Sequence, residues 1–169
     1  GMMLADARTL CPEIATAPSD PAGDLGFLET LAIWAQRWGP WSALDPPDGL
    51  LVDVTAVAHL FGGENRLLAD VQQAFAQRQL AVRTAIAPTA GAAWALAQHG
   101  RDGAIVEGAE AIERALSDLP VAALRLDQDV VTVLRRLGRK RLCEIATLGR
   151  DAIQRRFRNR KSPAANPLV

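Results

Sequence analysis

Residues 48–75 read DGLLVDVTAVAHLFGGENRLLADVQQAF, and the change of periodicity inside them decides the fold class. Leu50, Val52 and Val54 alternate with Leu51, Asp53 and Thr55, the two-residue period of a half-buried strand. From residue 64 onward Leu67, Leu68, Val71 and Phe75 recur at helical spacing. Gly62-Gly63 lies between the two. No Lys-Ser/Thr follows it, as a phosphate loop needs, so it reads as a turn with Gly63 or Glu64 opening the helix. Downstream the order repeats: LAVRTAIA at 80–87 alternates as a second strand, 89–98 is Ala-rich, 104–106 reads as a short strand and 108–118 as a helix ending before Pro120. From Val121 the pattern is helical only. Upstream, residues 4–10 read as a helix end stopped by Cys11-Pro12, and 13–17 as a short extended piece closed by Pro18. Asp20-Pro21 is a helix start, with Leu28, Leu31, Ala35 and Trp38 on one face and Gly39-Pro40 as the stop. The fold class is α+β, a sheet with packed helices followed by a small helical unit.

Composition supports a folded chain of this kind. Of 169 residues, 49% are hydrophobic and 22% charged, enough apolar material for a core and too much for disorder. No apolar run reaches the roughly 18 residues of a membrane span. The N-terminus lacks a basic stretch followed by an apolar one, so a cytoplasmic protein is expected. Cys11 and Cys143 have no metal-ligand spacing and read as reduced thiols; His59 and His99 stand outside any nucleophile or carboxylate constellation. Trp34, Trp38 and Trp41 could stack bases, but two of them sit near a core-facing helix and packing is the better reading. The tail RRFRNRKSPAANPLV has nothing to bury and reads as a linker, with the protein expected to continue beyond Val169.

The zero net charge conceals an asymmetry. Residues 1–120 hold 7 Arg and no Lys against 15 acids, a net −8, whereas 121–169 hold 12 basic residues against 4 acids, a net +8. Clustered Lys and Arg displace counterions from phosphates, so the basic half has the footprint of a nucleic-acid contact. A solvated basic helix end is the bland alternative.

These segments, taken in order, resemble the Y-family translesion DNA polymerases. LADARTLCPEIATAPSD (4–20), the stretch from DGLLVDVT through HLFGG, and LAVRTAIAPTAGAAWALA (80–97) are similar to the end of the fingers and the palm. LRRLGRKRLCEIATLGRDAIQRRF (134–157) is similar to the helix-hairpin-helix thumb that follows. The resemblance implies a partial palm and a thumb: residues 1–18 as the end of the fingers, 19–104 as a palm-like α/β domain, 105–160 as the helical thumb and 161–169 as a linker to a little-finger domain.

The departures from the family pattern carry the functional reading. Active members hold two Mg²⁺ ions with one acid from a first palm strand and a pair in a Ser-x-Asp-Glu sequence. Counted back from Asp53-Val54-Thr55, that pair falls on Asp48 and Gly49; a gapped register places Asp45 there instead, after Ser42. Either register leaves one carboxylate, which cannot organise a two-metal site. The family's Asn-Lys-x-x-Ala-Lys pattern falls on Thr89, Ala90, Ala93 and Trp94, so Ala90 and Trp94 replace both lysines. No catalytic or nucleotide-binding residue and no cofactor is therefore expected, and Trp94 should help fill the former nucleotide pocket.

This combination, with PWSALDPPDGLLVDVT and the terminal SPAANPL, looks like the ImuB-type, catalytically inactive members. The resemblance implies an adaptor in damage-induced mutagenesis that works with an error-prone C-family polymerase, a RecA-like accessory protein and the sliding clamp, near the nucleoid. DNA contact is expected in the thumb. Where active relatives have a Pro-Gly-x-Gly hairpin this chain reads ALRLD (123–127), so that grip should be weaker. Arg125, Gly138, Arg139, Lys140, Arg141, Arg155, Arg156 and Arg158 are the expected backbone contacts. Two alternatives stand beside the adaptor: a Mg²⁺-dependent nucleotidyltransferase whose other acids lie outside this segment, and a pure protein-interaction scaffold using the acidic half.

Overall fold

The computed structural model describes residues 2–146. The chain divides into two units, one ending at Val52 and the other beginning at Asp53. The division falls inside 19–104, the segment read as palm-like.

The first unit is a helix on a hairpin. α1 (Leu4–Leu10) buries no residue and stops before Pro12. α2 (Pro21–Ala35) starts where its sequence says it should: Pro21 takes the first position and the Asp20 side chain accepts a hydrogen bond from the Gly23 N–H at 3.0 Å. Its inner face buries Leu28, Ala32 and Ala35, and Trp38 follows at 2% exposure. Trp34 meets Trp38 edge-on, centroids 4.7 Å apart, with the Arg37 guanidinium over both rings. Trp41 is exposed, so of the three tryptophans only Trp34 and Trp38 pack in the expected way.

α2 packs on β1 (Trp41–Asp45), and the Ser42 hydroxyl donates to the Ala32 carbonyl at 3.0 Å, pinning strand to helix. β1 pairs with β2 (Gly49–Asp53). Three residues containing a cis Pro46–Pro47 peptide join them, a connection only an antiparallel hairpin permits. β1 is a strand that periodicity did not indicate. The alternation expected around β2 is not reproduced either: Leu50, Leu51 and Val52 are all half-buried. Residues 13–17 form no strand.

The second unit begins with a 3₁₀ turn over Ala58–Phe61, after which Gly62 is left-handed and Gly63 opens α3 (Glu64–Ala76). Leu67, Leu68, Ala74 and Phe75 are its buried side chains. The strand expected over 80–87 shortens to β3 (Ala85–Ile86), which pairs in parallel with β4 (Ala104–Ile105). Residues before Ala85 are engaged differently. The Thr84 N–H donates to the Asp102 carboxylate at 2.7 Å, and Arg83 donates to the carbonyls of Ala97 and Gly100, closing the end of α4 (Ala90–His99). α4 supplies the crossover that parallel pairing requires. It is capped by the Thr89 hydroxyl, which accepts from the Ala92 N–H.

α5 (Ala109–Ser117), a 3₁₀ turn (Val121–Leu124), α6 (Gln128–Arg136) and α7 (Leu142–Ala146) complete the described chain. The second 3₁₀ turn joins two small cores. Its Ala123 packs with Ala95, Leu96 and Leu119, while Val121, fully buried, packs with Val130, Val131, Leu134 and Ile145. Burial of a valine of this kind contributes about 1.5–3 kcal/mol, so Val121 is a main anchor of the turn on α6, while Ala123 sets the same turn against α4. No helix of the described residues is long and apolar enough to cross a membrane.

Candidate functional site

The acidic motif sits at the end of the hairpin. Asp45 is half-buried as the last residue of β1, Asp48 is exposed in the turn and Gly49 begins β2. A Cβ placed on Gly49 would lie 2.8 Å from the Asp45 carbonyl oxygen and 3.1 Å from both Asp45 Cβ and Oδ2. The backbone contact cannot be relieved by turning a side chain, so a second acid does not fit beside Asp48 in this hairpin. Asp53, at the end of β2, accepts from the Thr55 N–H at 3.0 Å, and that bond holds its carboxyl below the usual range. Among the described residues no group of three or more His, Cys, Asp or Glu could hold a metal ion. Asp45 and Asp48 on the hairpin, by themselves, do not make up the donor set of a Mg²⁺ pair among the described residues.

α4 carries the two positions that the resemblance assigns to the family lysines. Ala90 is its exposed first residue, and Trp94 is half-buried one turn later. The Arg125 guanidinium lies over the Trp94 ring, 4.6 Å from its centroid, and His99 meets the same ring edge-on at 5.7 Å. Burial, and then the Arg83 charge, push the His99 imidazole below its ordinary pKa, so at neutral pH this end of α4 carries little imidazolium charge. Arg125 itself is left-handed, φ +54°, in the ALRLD connection. The connection keeps a turn that glycine makes at low cost, and fills it with an arginine folded back onto Trp94. Two residues read from sequence as departures from the polymerase pattern, 31 positions apart, thus touch.

The basic turn between α6 and α7 has a defined backbone. Gly138 is left-handed at φ +77°; its N–H donates to the Arg135 carbonyl at 3.0 Å and the Arg139 N–H to the Leu134 carbonyl at 2.9 Å. This paired closure is a Schellman ending, and the expected role of Gly138 as a helix stop holds. Lys140 and Arg141 are exposed and Arg139 is half-buried. The turn is tied back to residues 119–121: the Val121 N–H donates to the Lys140 carbonyl at 2.9 Å and the Leu142 N–H to the Leu119 carbonyl at 3.0 Å. Arg155, Arg156 and Arg158 lie outside the described residues.

Two acids at this turn escaped the sequence reading. Asp118 Oδ1 accepts from Arg141 Nη1 at 2.7 Å. Glu144 Oε2 accepts from the Lys140 N–H at 2.6 Å and the Arg141 N–H at 3.3 Å. Those two N–H groups, and behind them the charges of Arg139 and Arg141, hold the Glu144 carboxyl below its usual range. A Glu three residues after the N-cap, here Arg141, is the reaching-back half of a capping box, a signal present in the sequence. The Asp118 contact spans 23 residues and depends on tertiary structure alone.

The family model described as impB/mucB/samB matches residues 1–98. The chain is 44% identical over 157 residues, 93% of its length, to "Protein ImuB" of Caulobacter vibrioides strain NA1000 / CB15N, and equally to the same protein of strain ATCC 19089 / CIP 103742 / CB 15. It spans 34% of the length of those relatives. No solved structure matches it.

Proposed function

The chain belongs to the impB/mucB/samB family of Y-family relatives, and from that premise we propose that it is a non-catalytic, ImuB-type member that acts in the tolerance of DNA damage by holding DNA beside a partner polymerase. The observation that carries this reading is Gly49 packed against the Asp45 carbonyl, which leaves no room for the second acid of a two-metal site. The replacement of the lysines on α4 by Ala90 and Trp94 supports it, since the cations that would meet a triphosphate are missing there. No bond is made or broken by this segment and no cofactor is required; Mg²⁺ belongs only to the polymerase alternative.

DNA contact is assigned to the α6–α7 turn, where Arg139, Lys140 and Arg141 follow a left-handed Gly138, with Arg125 at the preceding connection and Arg155, Arg156 and Arg158 beyond. The polymerase partner is the error-prone C-family enzyme that the ImuB-type resemblance implies, with a RecA-like accessory protein and the sliding clamp as further partners. Clamp binding is assigned to no residue of this chain. The site of action is the cytoplasm, at the nucleoid.

The test is a salt titration of this chain's affinity for primer–template DNA by fluorescence anisotropy. A slope of log K against log salt that becomes shallower by about 0.9 for each of Arg139, Lys140 and Arg141 changed to Ala supports direct phosphate contact. Absence of binding at low salt overturns it. Mg²⁺-dependent primer extension by the chain lengthened at its N-terminus would overturn the non-catalytic reading. The net −8 of residues 1–120 favours a second reading, in which the acidic half docks partner proteins. Pulldown of the partner polymerase by the chain, weakened by reversing acidic surface residues but not by the Arg139, Lys140 and Arg141 changes, would support it.

A further inference from the structure

We propose that Asp118 is a built-in competitor for the DNA backbone at the α6–α7 turn, occupying Arg141 until a phosphate takes its place. This deepens the DNA-contact reading and rests on it. Four observations converge on the pair. Asp118 Oδ1 and Arg141 Nη1 are 2.7 Å apart, yet the side chains are 79% and 57% exposed, so the pair is formed in water and is weak and exchangeable. Backbone bonds from Val121 to Lys140 and from Leu142 to Leu119 hold the two residues side by side whether or not the ion pair is made. Asp118 ends α5 at its carboxyl terminus, where the negative end of the helix disfavours an acid and a nearby cation relieves it. Arg141 is followed directly by Leu142, the first residue of α7, and is exposed toward solvent together with Lys140.

The chemistry of exchange follows. A guanidinium binds a phosphate through two parallel N–H bonds, and the DNA backbone offers a dense row of such acceptors. Arg141 therefore transfers from Asp118 to a phosphate when the turn meets a duplex. Asp118, left uncompensated and close to the backbone, opposes the complex. A single free anion meets the same opposition without the help of neighbouring phosphates on Lys140 and Arg139. The pair lowers affinity for isolated anions and keeps the contact dependent on a polyanion.

The experiment compares the full chain with Asp118→Asn, Arg141→Ala and the double variant on a primer–template duplex, by anisotropy across a salt series. Asp118→Asn is expected to bind about threefold more tightly, the size of an exposed ion pair. Its salt slope should be steeper by about one ion. Neither change should appear in the Arg141→Ala background. Thermal unfolding of each variant, and Asp118→Ser as a second neutral replacement, separate this from loss of folding. An equal gain in the Arg141→Ala background would reduce Asp118 to a general charge effect and overturn the proposal. So would a folded Asp118→Asn that binds as wild type while Arg139→Ala and Lys140→Ala still weaken binding. If Arg139→Ala and Lys140→Ala change nothing, DNA does not use the turn and the underlying reading fails. If neither wild type nor Asp118→Asn binds at low salt, both fail.

Discussion

Gly49 faces the Asp45 carbonyl so closely that a Cβ would lie 2.8 Å from its oxygen. Replacement by Glu would restore the acidic pair on paper and collide with the partner strand in the hairpin. Gly49→Glu is expected to lose about 1–3 kcal/mol of stability, the usual cost of overpacking. For a chain of this size each kcal/mol lowers Tm by about 2–4 °C. Mg²⁺ titration calorimetry should show no new binding. A stable Gly49→Glu variant that binds Mg²⁺ would mean that the hairpin opens readily and that the acid was lost without structural consequence.

Arg125 answers a different steric question. It holds φ +54°, a conformation that costs a non-glycine residue about 1–2 kcal/mol, while its guanidinium stacks on Trp94. Arg125→Ala keeps the strain and removes the stacking; Arg125→Gly removes both. The glycine variant should therefore be the more stable of the two by about 1 kcal/mol. In a double-mutant cycle with Trp94→Ala, urea unfolding should give a coupling of about 0.5–1 kcal/mol. Equal stability of the Ala and Gly variants would show that the left-handed turn relaxes once the side chain is gone.

The parts of this fold that were legible are those fixed by neighbours in sequence. Asp20-Pro21 marks the start of α2, Gly63 that of α3, and Gly138 the end of α6, each because a local backbone group needs that residue type. The strands at Ala85–Ile86 and Ala104–Ile105 were visible as apolar segments flanking a helix, whereas their parallel pairing emerges only in the structure. β1 was not visible. Trp41–Asp45 is short, carries an exposed Trp and runs into Pro-Pro, so its strand character comes from pairing with β2 and from the Ser42 bond to α2. The site shows the same limit. The expectation of a missing acid at Gly49 and missing lysines at Ala90 and Trp94 comes from counting along the sequence, whereas the contacts of Arg125 with Trp94 and of Arg141 with Asp118 exist only after folding.

Glu64, the first residue of α3, has its carboxyl raised above the ordinary value, by burial first and by the neighbouring Glu107 charge second. Across the interval from the unfolded value up to the folded one, the folded chain binds more protons than the unfolded chain. Stability therefore falls as pH rises through that interval, and above it an ionised Glu64 is a net cost. Glu64→Gln should raise Tm at neutral pH and have little effect in acid below the unfolded carboxylate range. Thermal scans from acid to neutral pH check this, and a Gln variant that is less stable at neutral pH would show that the charge serves the helix start more than burial opposes it.

Glu144 has the opposite sign. Its carboxylate accepts from the backbone N–H groups of Lys140 and Arg141, and these bonds, with the nearby arginine charges, lower its pKa. The unfolded chain now binds more protons between the folded and unfolded values, so the contribution is present above the unfolded carboxylate range and lost as pH falls through the folded value. Glu144→Ala should lower Tm at neutral pH and converge on wild type in strong acid, the reverse of the Glu64→Gln profile. Hydrogen exchange of the Lys140 and Arg141 amides offers a local readout, because both should exchange faster once their acceptor is removed. Unchanged protection of the two amides would place the stabilising role of Glu144 elsewhere and leave the α6–α7 turn to its Schellman closure and its bonds to residues 119–121.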